Sequence, residues 1–179
     1  RSVPGSVLWL LEPHPEAAEN LRKEAKTRGV ESDRLVFTKR ETVSPDQEKE
    51  RVARYLASYR LADLFLDTWP YNAGTTAIDA LWAGLPVLTK AGQSSVARMA
   101  TSALHAIEMP ELITNSAQEY RDLALELATN SMKLKALKEK LQRNRVTTAL
   151  FDPVGNTRHL EAAYLQMYQS YHSDELSGH

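Results

Sequence analysis

Two threonines and an aspartate, close together near the middle of this 179-residue chain, have the types and the spacing to bind a phosphorylated ligand. Gly74 follows Asn72 and Ala73, and all three are small or turn-forming residues that let a backbone approach a ligand closely. Thr75 and Thr76 then begin a predicted helix. The first N–H groups of a helix have no intrahelical acceptor and lie at the positive end of the helix dipole. The sequence therefore predicts a diphosphate site at Gly74-Thr75-Thr76.

Asp79 extends this candidate site along the same helix. It follows Thr75 by four residues and Thr76 by three, so the three side chains lie on one side of the helix. At about 1.5 Å rise per residue, Asp79 lies roughly 6 Å along the axis from the threonines, which is about the distance from a nucleotide's diphosphate to its ribose hydroxyls. A carboxylate accepts hydrogen bonds from such a diol. A second interpretation stays open, in which these residues only cap the helix of an ordinary αβ unit.

Predicted strands and helices alternate along the chain, which is typical of an α/β fold: a Rossmann-like parallel sheet with helices on both faces. The apolar run at 7–11 predicts a first strand that is buried on both faces. Further strands are predicted at 34–38, 64–66 and 86–90, with a short fifth strand within 109–114. Helices are predicted at 16–28, 45–59, 75–83, 96–102, from 117, from 131 and at 156–171. Ligands bind beyond the carboxyl ends of such strands, so the loops at 12–15, 39–46, 71–75 and 91–95 should form the binding edge.

Length and composition limit the function further. Residues 1–179 are long enough for a single domain with a full core, and the net charge of −1 argues against a general nucleic-acid binder. The absence of cysteine excludes disulfides and thiolate chemistry and suits a cytoplasmic protein. No run approaches 18 apolar residues, so we expect no membrane association. Because Arg1 is not an initiator methionine, we expect this chain to be a piece of a longer protein.

Other chemically interesting residues have competing interpretations. His14, His105 and His159 have no carboxylate at ligand or triad spacing, which favours surface or packing roles and predicts no metal site. Arg98, after the turn at 91–95, either approaches the diphosphate or pairs with an acid. Asp67 is predicted to close a turn at the end of a strand.

Several segments, in order and over nearly the whole chain, resemble the C-terminal catalytic lobe of O-GlcNAc transferase and the SPINDLY-like bacterial glycosyltransferases, whose catalytic lobes usually follow a tetratricopeptide array. The matching segments are 6–11, 61–68, 72–89, 96–100, 110–113, 119–120, 150–152 and 164–168. The resemblance implies the nucleotide-sugar-binding, C-terminal lobe of a two-lobed GT-B glycosyltransferase. It also implies that the final helix, 154–171, crosses to an N-terminal lobe that this chain lacks.

The resemblance implies roles for individual residues. Thr75, Thr76 and the helix start hold the diphosphate, and Asp79 binds the ribose. The implied reaction is inverting, metal-independent transfer of a sugar, typically N-acetylglucosamine, from UDP to a protein Ser or Thr hydroxyl, because the helix dipole and side-chain donors stabilise the leaving diphosphate. No cofactor is needed beyond the UDP-sugar donor. The protein acceptor would bind through regions outside this chain, so the fragment alone should be inactive, and its catalytic residues are unknown.

Several positions depart from the family pattern. Gly74 and Tyr55 stand where family members carry histidines, and the loop that carries a phosphate-binding lysine is lengthened here, so Lys39 or Arg40 is the candidate substitute. The family's first strand, with its own lysine and glutamine, would lie before Arg1. Gly74 in place of histidine favours one alternative, a non-catalytic GT-B-like lobe that serves as a protein-interaction module. The second alternative is another nucleotide-sugar enzyme with a similar two-lobed architecture, such as an epimerase. The second would need a catalytic carboxylate or histidine facing the same edge.

Overall fold

The computed structural model describes residues 2–12, 14–39 and 44–176, with side chains as far as residue 172. Its strands form two parallel sheets. In the first, β1 (Leu8–Leu11) pairs with β2 (Leu35–Thr38). The second has the order β3 (Phe65–Leu66), β4 (Val87–Lys90) and β5 (Ile113–Thr114). The predicted parallel pairing is therefore confirmed, although no ladder joins the two sheets within the described residues.

Seven helices in the described ranges connect and cover the strands. They are α1 (Pro15–Thr27), α2 (Glu48–Ser58), α3 (Thr75–Ala83), α4 (Met99–Ala106), α5 (Ala117–Thr129), α6 (Ser131–Thr147) and α7 (Pro153–Leu176). Two of these helices have side-chain caps of residue types that favour helix starts. The side chain of Ser116 accepts from the backbone N–H of Glu119 at the start of α5, and that of Asn130 accepts from the backbone N–H of Lys133 at the start of α6. None of these helices is both long and apolar enough to cross a lipid bilayer.

The core lies between the second sheet and the helices that pack on it. Its fully buried side chains come from β4, from α3, α4, α5 and α6, and from the segment that follows α4, and they include Leu81, Val87, Leu104, Ile107 and Leu141. The predicted end of α3 at Gly84 is confirmed, since this glycine has φ +90° and so adopts a left-handed conformation that other residues avoid. This packing fixes α3 against β4, with its first turn at the carboxyl end of β3.

The prediction that β1 is buried on both faces is wrong. Leu8 is 44% exposed and Leu11 is 60% exposed. An apolar run indicates a strand, but its burial depends on what lies beside it, and within the described residues β1 pairs only with β2. Leu66, on the outer strand of the other sheet, is also 43% exposed.

The last helix is longer than predicted, and its apolar side chains stay in contact with solvent. Leu160, Tyr164 and Tyr168 are all more than half exposed. Within the described residues, α7 therefore presents an apolar surface that no other element covers.

Candidate nucleotide-binding site

The buried carboxylate of Asp67, just after β3, organises the loop that leads into α3. Only 2% of the Asp67 surface is exposed. Its Oδ1 accepts from the backbone N–H groups of Thr68 (2.8 Å) and Ala73 (2.7 Å), and its Oδ2 accepts from the hydroxyl of Thr89 on β4 (2.6 Å). Burial raises the pKa of Asp67, although these three hydrogen bonds act in the opposite direction. The prediction that Asp67 closes a turn is confirmed.

Further hydrogen bonds hold the same loop from its other side. Asn72 is fully buried, and it donates its backbone N–H to Val96 O (3.0 Å) and its Nδ2 to Thr68 O (2.8 Å). The Tyr120 hydroxyl on α5 donates to Asp67 O (2.9 Å). The path of the chain from β3 to α3 is thus fixed by long-range contacts, so the start of α3 has a defined position at the sheet edge.

The N-terminus of α3 is open, as the sequence predicted. Gly74 is the N-cap and provides no side-chain cap. The carbonyl of Gly74 accepts from the N–H groups of Ala77 (3.1 Å) and Ile78 (3.2 Å), whereas those of Thr75 and Thr76 donate to no acceptor within the described residues. Both threonine side chains are exposed. Two backbone donors and two hydroxyls therefore face solvent at the positive end of the helix dipole, which suits an anion.

Asp79 lies on α3 beside two tyrosines of the preceding segment. The Tyr55 hydroxyl on α2 donates to Asp79 Oδ2 (3.4 Å) and lies 2.6 Å from the hydroxyl of Tyr59, which in turn donates to Thr76 O (3.4 Å). No ion pair engages Asp79 in the described part of the chain. Burial raises the pKa of Tyr55, and the charge of Asp79 adds to this rise. Asp79 therefore remains available as an acceptor for a ligand diol.

The side chain of Met99, at the start of α4, occupies the space beside Gly74. A Cβ placed on Gly74 would lie 2.5 Å from the terminal methyl of Met99, so any larger residue at position 74 requires Met99 to move. Met99 is 43% exposed, and its flexible side chain has room to do so. The sequence offered no signal for this contact, because it joins residues on two separate helices.

The three basic candidates differ in where they lie. Arg98 is exposed in the turn Val96–Arg98, which hydrogen-bonds to Asn72, and it forms no ion pair with a described carboxylate. Lys39 is exposed immediately after β2, and no hydrogen bond or ion pair joins it to the described residues of α3. Arg40 lies outside the described residues. Phosphate contacts by Arg98, Lys39 and Arg40 stay predictions.

A cavity of about 340 Å³ adjoins the open start of α3. We call it the Tyr71 cavity. It is bounded by the end of β3 and by loop and helix residues, namely Asp67, Thr68, Tyr71, Asn72, Gly74 and Thr76. It lies at the carboxyl end of β3, which is where ligands bind in parallel α/β sheets.

A larger cavity, of about 480 Å³, lies at the opposite end of α3 near Gly84. Two of the three cations that line it have protein partners: Arg145 donates to the carbonyl of Trp82, and Lys138 pairs with Asp63 at 3.0 Å. Arg145 and Lys138 complement the negative end of the α3 dipole. We therefore assign this cavity no ligand. The described residues hold no group of three or more histidines and carboxylates suited to a metal ion.

Comparisons with known proteins show what this chain is similar to. The family model described as glycosyl transferase family 41 matches residues 1–160. A Caenorhabditis elegans UDP-N-acetylglucosamine--peptide N-acetylglucosaminyltransferase is 35% identical over 96% of this chain. A probable enzyme of the same name from Arabidopsis thaliana (SEC) is 35% identical over 100% of this chain. The chain covers only 14% and 18% of these relatives.

A solved structure of an O-GlcNAc transferase has a similar fold. A lysine-to-methionine mutant of Thermobaculum terrenum O-GlcNAc transferase superposes on 92% of this chain with a TM-score of 0.79 and 31% identity, and the match covers 30% of that structure's chain. The predicted Rossmann-like α/β fold of a GT-B lobe and the resemblance to O-GlcNAc transferases are confirmed. The chain belongs to glycosyl transferase family 41.

Proposed function

We propose that this chain is the donor-binding lobe of an inverting glycosyltransferase that moves N-acetylglucosamine from UDP to Ser or Thr hydroxyls of proteins. The observation that carries the proposal is the open N-terminus of α3, whose unpaired amides at Thr75 and Thr76 lie one helical turn from Asp79. This arrangement matches the spacing between a diphosphate and a ribose. Relatives named as peptide N-acetylglucosaminyltransferases support the choice of sugar and acceptor.

In the proposed reaction, the start of α3 stabilises the leaving group. The acceptor hydroxyl oxygen bonds to the anomeric carbon from the face opposite UDP, while the bond from that carbon to the β-phosphate oxygen breaks and its electron pair leaves with UDP. This growing negative charge is stabilised by the amides and hydroxyls of Thr75 and Thr76 and by the helix dipole. The proposal therefore includes no metal and no further cofactor. The hydroxyl proton passes to a base outside this chain.

In this proposal, the other predicted site residues also contact the UDP-sugar donor. Asp79 accepts from the ribose hydroxyls through the oxygen that Tyr55 does not contact. Gly74 lets the phosphate approach the backbone, and Arg98, with Lys39 or Arg40, adds positive charge at the rim.

The chain alone should transfer no sugar, because it covers only 30% of the matched O-GlcNAc transferase chain and we propose that the acceptor-facing lobe belongs to the remainder. We propose that α7 packs against that lobe, since its Tyr164 and Tyr168 side chains are 59% and 64% exposed here.

Calorimetric titration of the 179-residue chain with UDP tests the proposal. We expect binding, and we expect Asp79→Asn to weaken it about 10-fold or more, because a hydrogen bond to a charged group contributes about 1.5 to 3 kcal/mol. Asp122→Asn removes the same charge from an exposed position on α5 and should leave the Kd unchanged. Equal effects of the two substitutions would exclude Asp79 as the ribose acceptor.

The contact between Met99 and Gly74 favours a second candidate, a non-catalytic lobe that serves as a protein-interaction module. In such a protein, the methyl of Met99 fills space where the resemblance places a histidine. Assays of UDP-sugar hydrolysis by a longer protein containing this chain, with and without protein acceptors, separate the two candidates. Turnover supports the transferase, and its absence despite UDP binding supports the module.

A further inference from the structure

Tyr59, just after α2, connects the core of the chain to Asp79 through a second tyrosine. Its ring packs against the buried core and lies 6.4 Å, centroid to centroid, from the ring of Phe65 on β3. Its hydroxyl lies 2.6 Å from that of Tyr55, which donates to Asp79 Oδ2 at 3.4 Å. The two tyrosine rings also meet edge to face, with centroids 5.2 Å apart. A side chain anchored in the core therefore reaches Asp79 through one intermediate.

The negative charge of Asp79 determines the direction of these hydrogen bonds. Tyr55 and Tyr59 have one hydroxyl proton each, whereas a carboxylate and a carbonyl only accept. If Tyr55 donated to Tyr59 instead, its oxygen would face Asp79 Oδ2 with a lone pair, and two acceptors would lie 3.4 Å apart. The favoured direction therefore runs from Tyr59 to Tyr55 to Asp79. The carbonyl of Thr76, 3.4 Å from the Tyr59 hydroxyl, is then a second and weaker acceptor for the same proton.

The Tyr59 hydroxyl strengthens the contact between Tyr55 and the carboxylate. In a chain of hydrogen bonds each bond polarises the next, so a phenol that accepts a hydrogen bond is a better donor. The contact of 2.6 Å between the two hydroxyls is short enough for this effect, and the ring of Tyr59 cannot move away without leaving the core. Tyr59 thus supports the longer bond of 3.4 Å to Asp79.

This contact leaves one oxygen of Asp79 for a ligand. Tyr55 donates to Oδ2, and no ion pair holds the carboxylate in the described part of the chain. A carboxylate without a partner samples several orientations, because both side-chain torsions of an aspartate can rotate. Holding Oδ2 on Tyr55 limits these orientations. A side chain that is ordered before binding loses less conformational entropy when the ligand arrives.

We propose that Tyr59 is a positioning residue for the ribose of the nucleotide: through Tyr55, it holds the Asp79 carboxylate ready to accept from the ribose diol. Tyr59 itself contacts no ligand in this role. The inference rests on the proposed function, in which Asp79 is the ribose acceptor. Tyr55 stands where the family pattern has a histidine, so the hydroxyl contact to Asp79 is a feature of this chain.

Two nucleotides that differ only in their ribose hydroxyls test the proposal. UDP carries both hydroxyls and 2′,3′-dideoxy-UDP carries neither, and each is titrated calorimetrically into the 179-residue chain. Tyr59→Phe keeps the ring and removes the hydroxyl. We expect it to raise the Kd of UDP about 3-fold or more, as for one lost hydrogen bond, and to change the Kd of 2′,3′-dideoxy-UDP less than about 2-fold. Tyr164→Phe removes the hydroxyl of an exposed tyrosine on α7 and should change neither Kd.

A double-mutant cycle shows whether Tyr59 acts through Asp79. In an Asp79→Ala background, Tyr59→Phe should change the Kd of UDP less than about 2-fold, because the carboxylate that it positions is gone. Tyr55→Phe removes the direct donor to Asp79, so in the unsubstituted background it should weaken UDP at least as much as Tyr59→Phe does. Far-ultraviolet circular dichroism checks that each variant is folded.

The outcomes separate this inference from the proposed function. If the chain binds UDP, but Tyr59→Phe leaves its Kd unchanged or weakens both nucleotides equally, the positioning role is overturned and the donor lobe stands. An effect of Tyr59→Phe that persists in full with Asp79→Ala also overturns the positioning role. A folded chain that binds no UDP at millimolar concentration overturns the proposed function and this inference with it.

Discussion

The buried carboxylate of Asp67 accepts a 2.7 Å hydrogen bond from the backbone N–H of Ala73, and this bond ties the end of β3 to the residue that precedes the N-cap of α3. Because Asp67 also accepts from Thr89 on β4, one side chain links two strands to the start of the candidate site. The open amides of α3 are thus positioned by a residue that is itself saturated with protein contacts. Asp67 should therefore matter for stability and only indirectly for binding.

Substituting Asp67 with alanine should destabilise the chain strongly. The change leaves two backbone N–H groups and the Thr89 hydroxyl without their acceptor, which should lower the free energy of unfolding by about 2 to 4 kcal/mol. Urea unfolding measures this value. The control Asp122→Ala removes an exposed carboxylate from α5, and it should change the free energy by less than about 0.5 kcal/mol. Similar values for the two variants would show that the Asp67 network contributes little.

The raised pKa of Asp67 predicts the direction of a pH effect on stability. The folded chain holds this proton more tightly than the unfolded chain, where the pKa is near its ordinary value of 3.8. The stabilising contribution of this titration is thus greatest below pH 3.8 and falls as the pH rises through the raised pKa. The free energy of unfolding, relative to that of Asp67→Asn, should fall over this range in urea titrations at stepped pH. A relative free energy that rises with pH would contradict the raised pKa.

The contact between Tyr55 and Asp79 predicts a coupled titration. The negative charge of Asp79 opposes ionisation of the Tyr55 phenol, so Asp79→Asn should lower the pKa of Tyr55 towards its ordinary value. The ¹³C shift of the Tyr55 ring carbon that bears the hydroxyl, followed through an alkaline titration, reports this pKa. Asp122→Asn serves as the control and should not move it. An unchanged pKa in Asp79→Asn would mean that the two side chains are apart in solution.

Core packing around α3 predicts that truncating a buried leucine lowers the free energy of unfolding much more than truncating an exposed one. Leu81 is fully buried, and Leu81→Ala should lower the free energy of unfolding by about 2 to 5 kcal/mol through lost burial and a residual cavity. Leu160 on α7 is 53% exposed, and Leu160→Ala should change that free energy by less than about 0.5 kcal/mol. Thermal or urea unfolding of both variants provides the comparison. A large loss from Leu160→Ala would show that α7 packs on the core.

Local sequence signals predicted much of the fold and the site. The small residues before Thr75 and the glycine at position 84 correctly bounded α3, since helix caps depend on residues that are close in sequence. The alternation of strands and helices likewise predicted the parallel pairing.

The features that the sequence patterns did not predict depend on long-range contacts. The exposure of β1 depends on which elements lie beside it, and the apolar run at 7–11 contains no such information. The placement of Met99 against Gly74 and the link between Tyr59 and Thr76 each join separate elements, so they emerge only when the chain is folded. No local pattern distinguishes these residues from ordinary helix or loop positions.

The central claim is that the start of α3 binds the diphosphate of UDP, and amide chemical-shift mapping of the 179-residue chain with UDP tests it most directly. The backbone N–H signals of Gly74, Thr75 and Thr76 should shift most, followed by that of Asp79, while those of α7 stay in place. If the chain is folded and these signals remain unmoved at millimolar UDP, the assignment of a donor-binding lobe is contradicted.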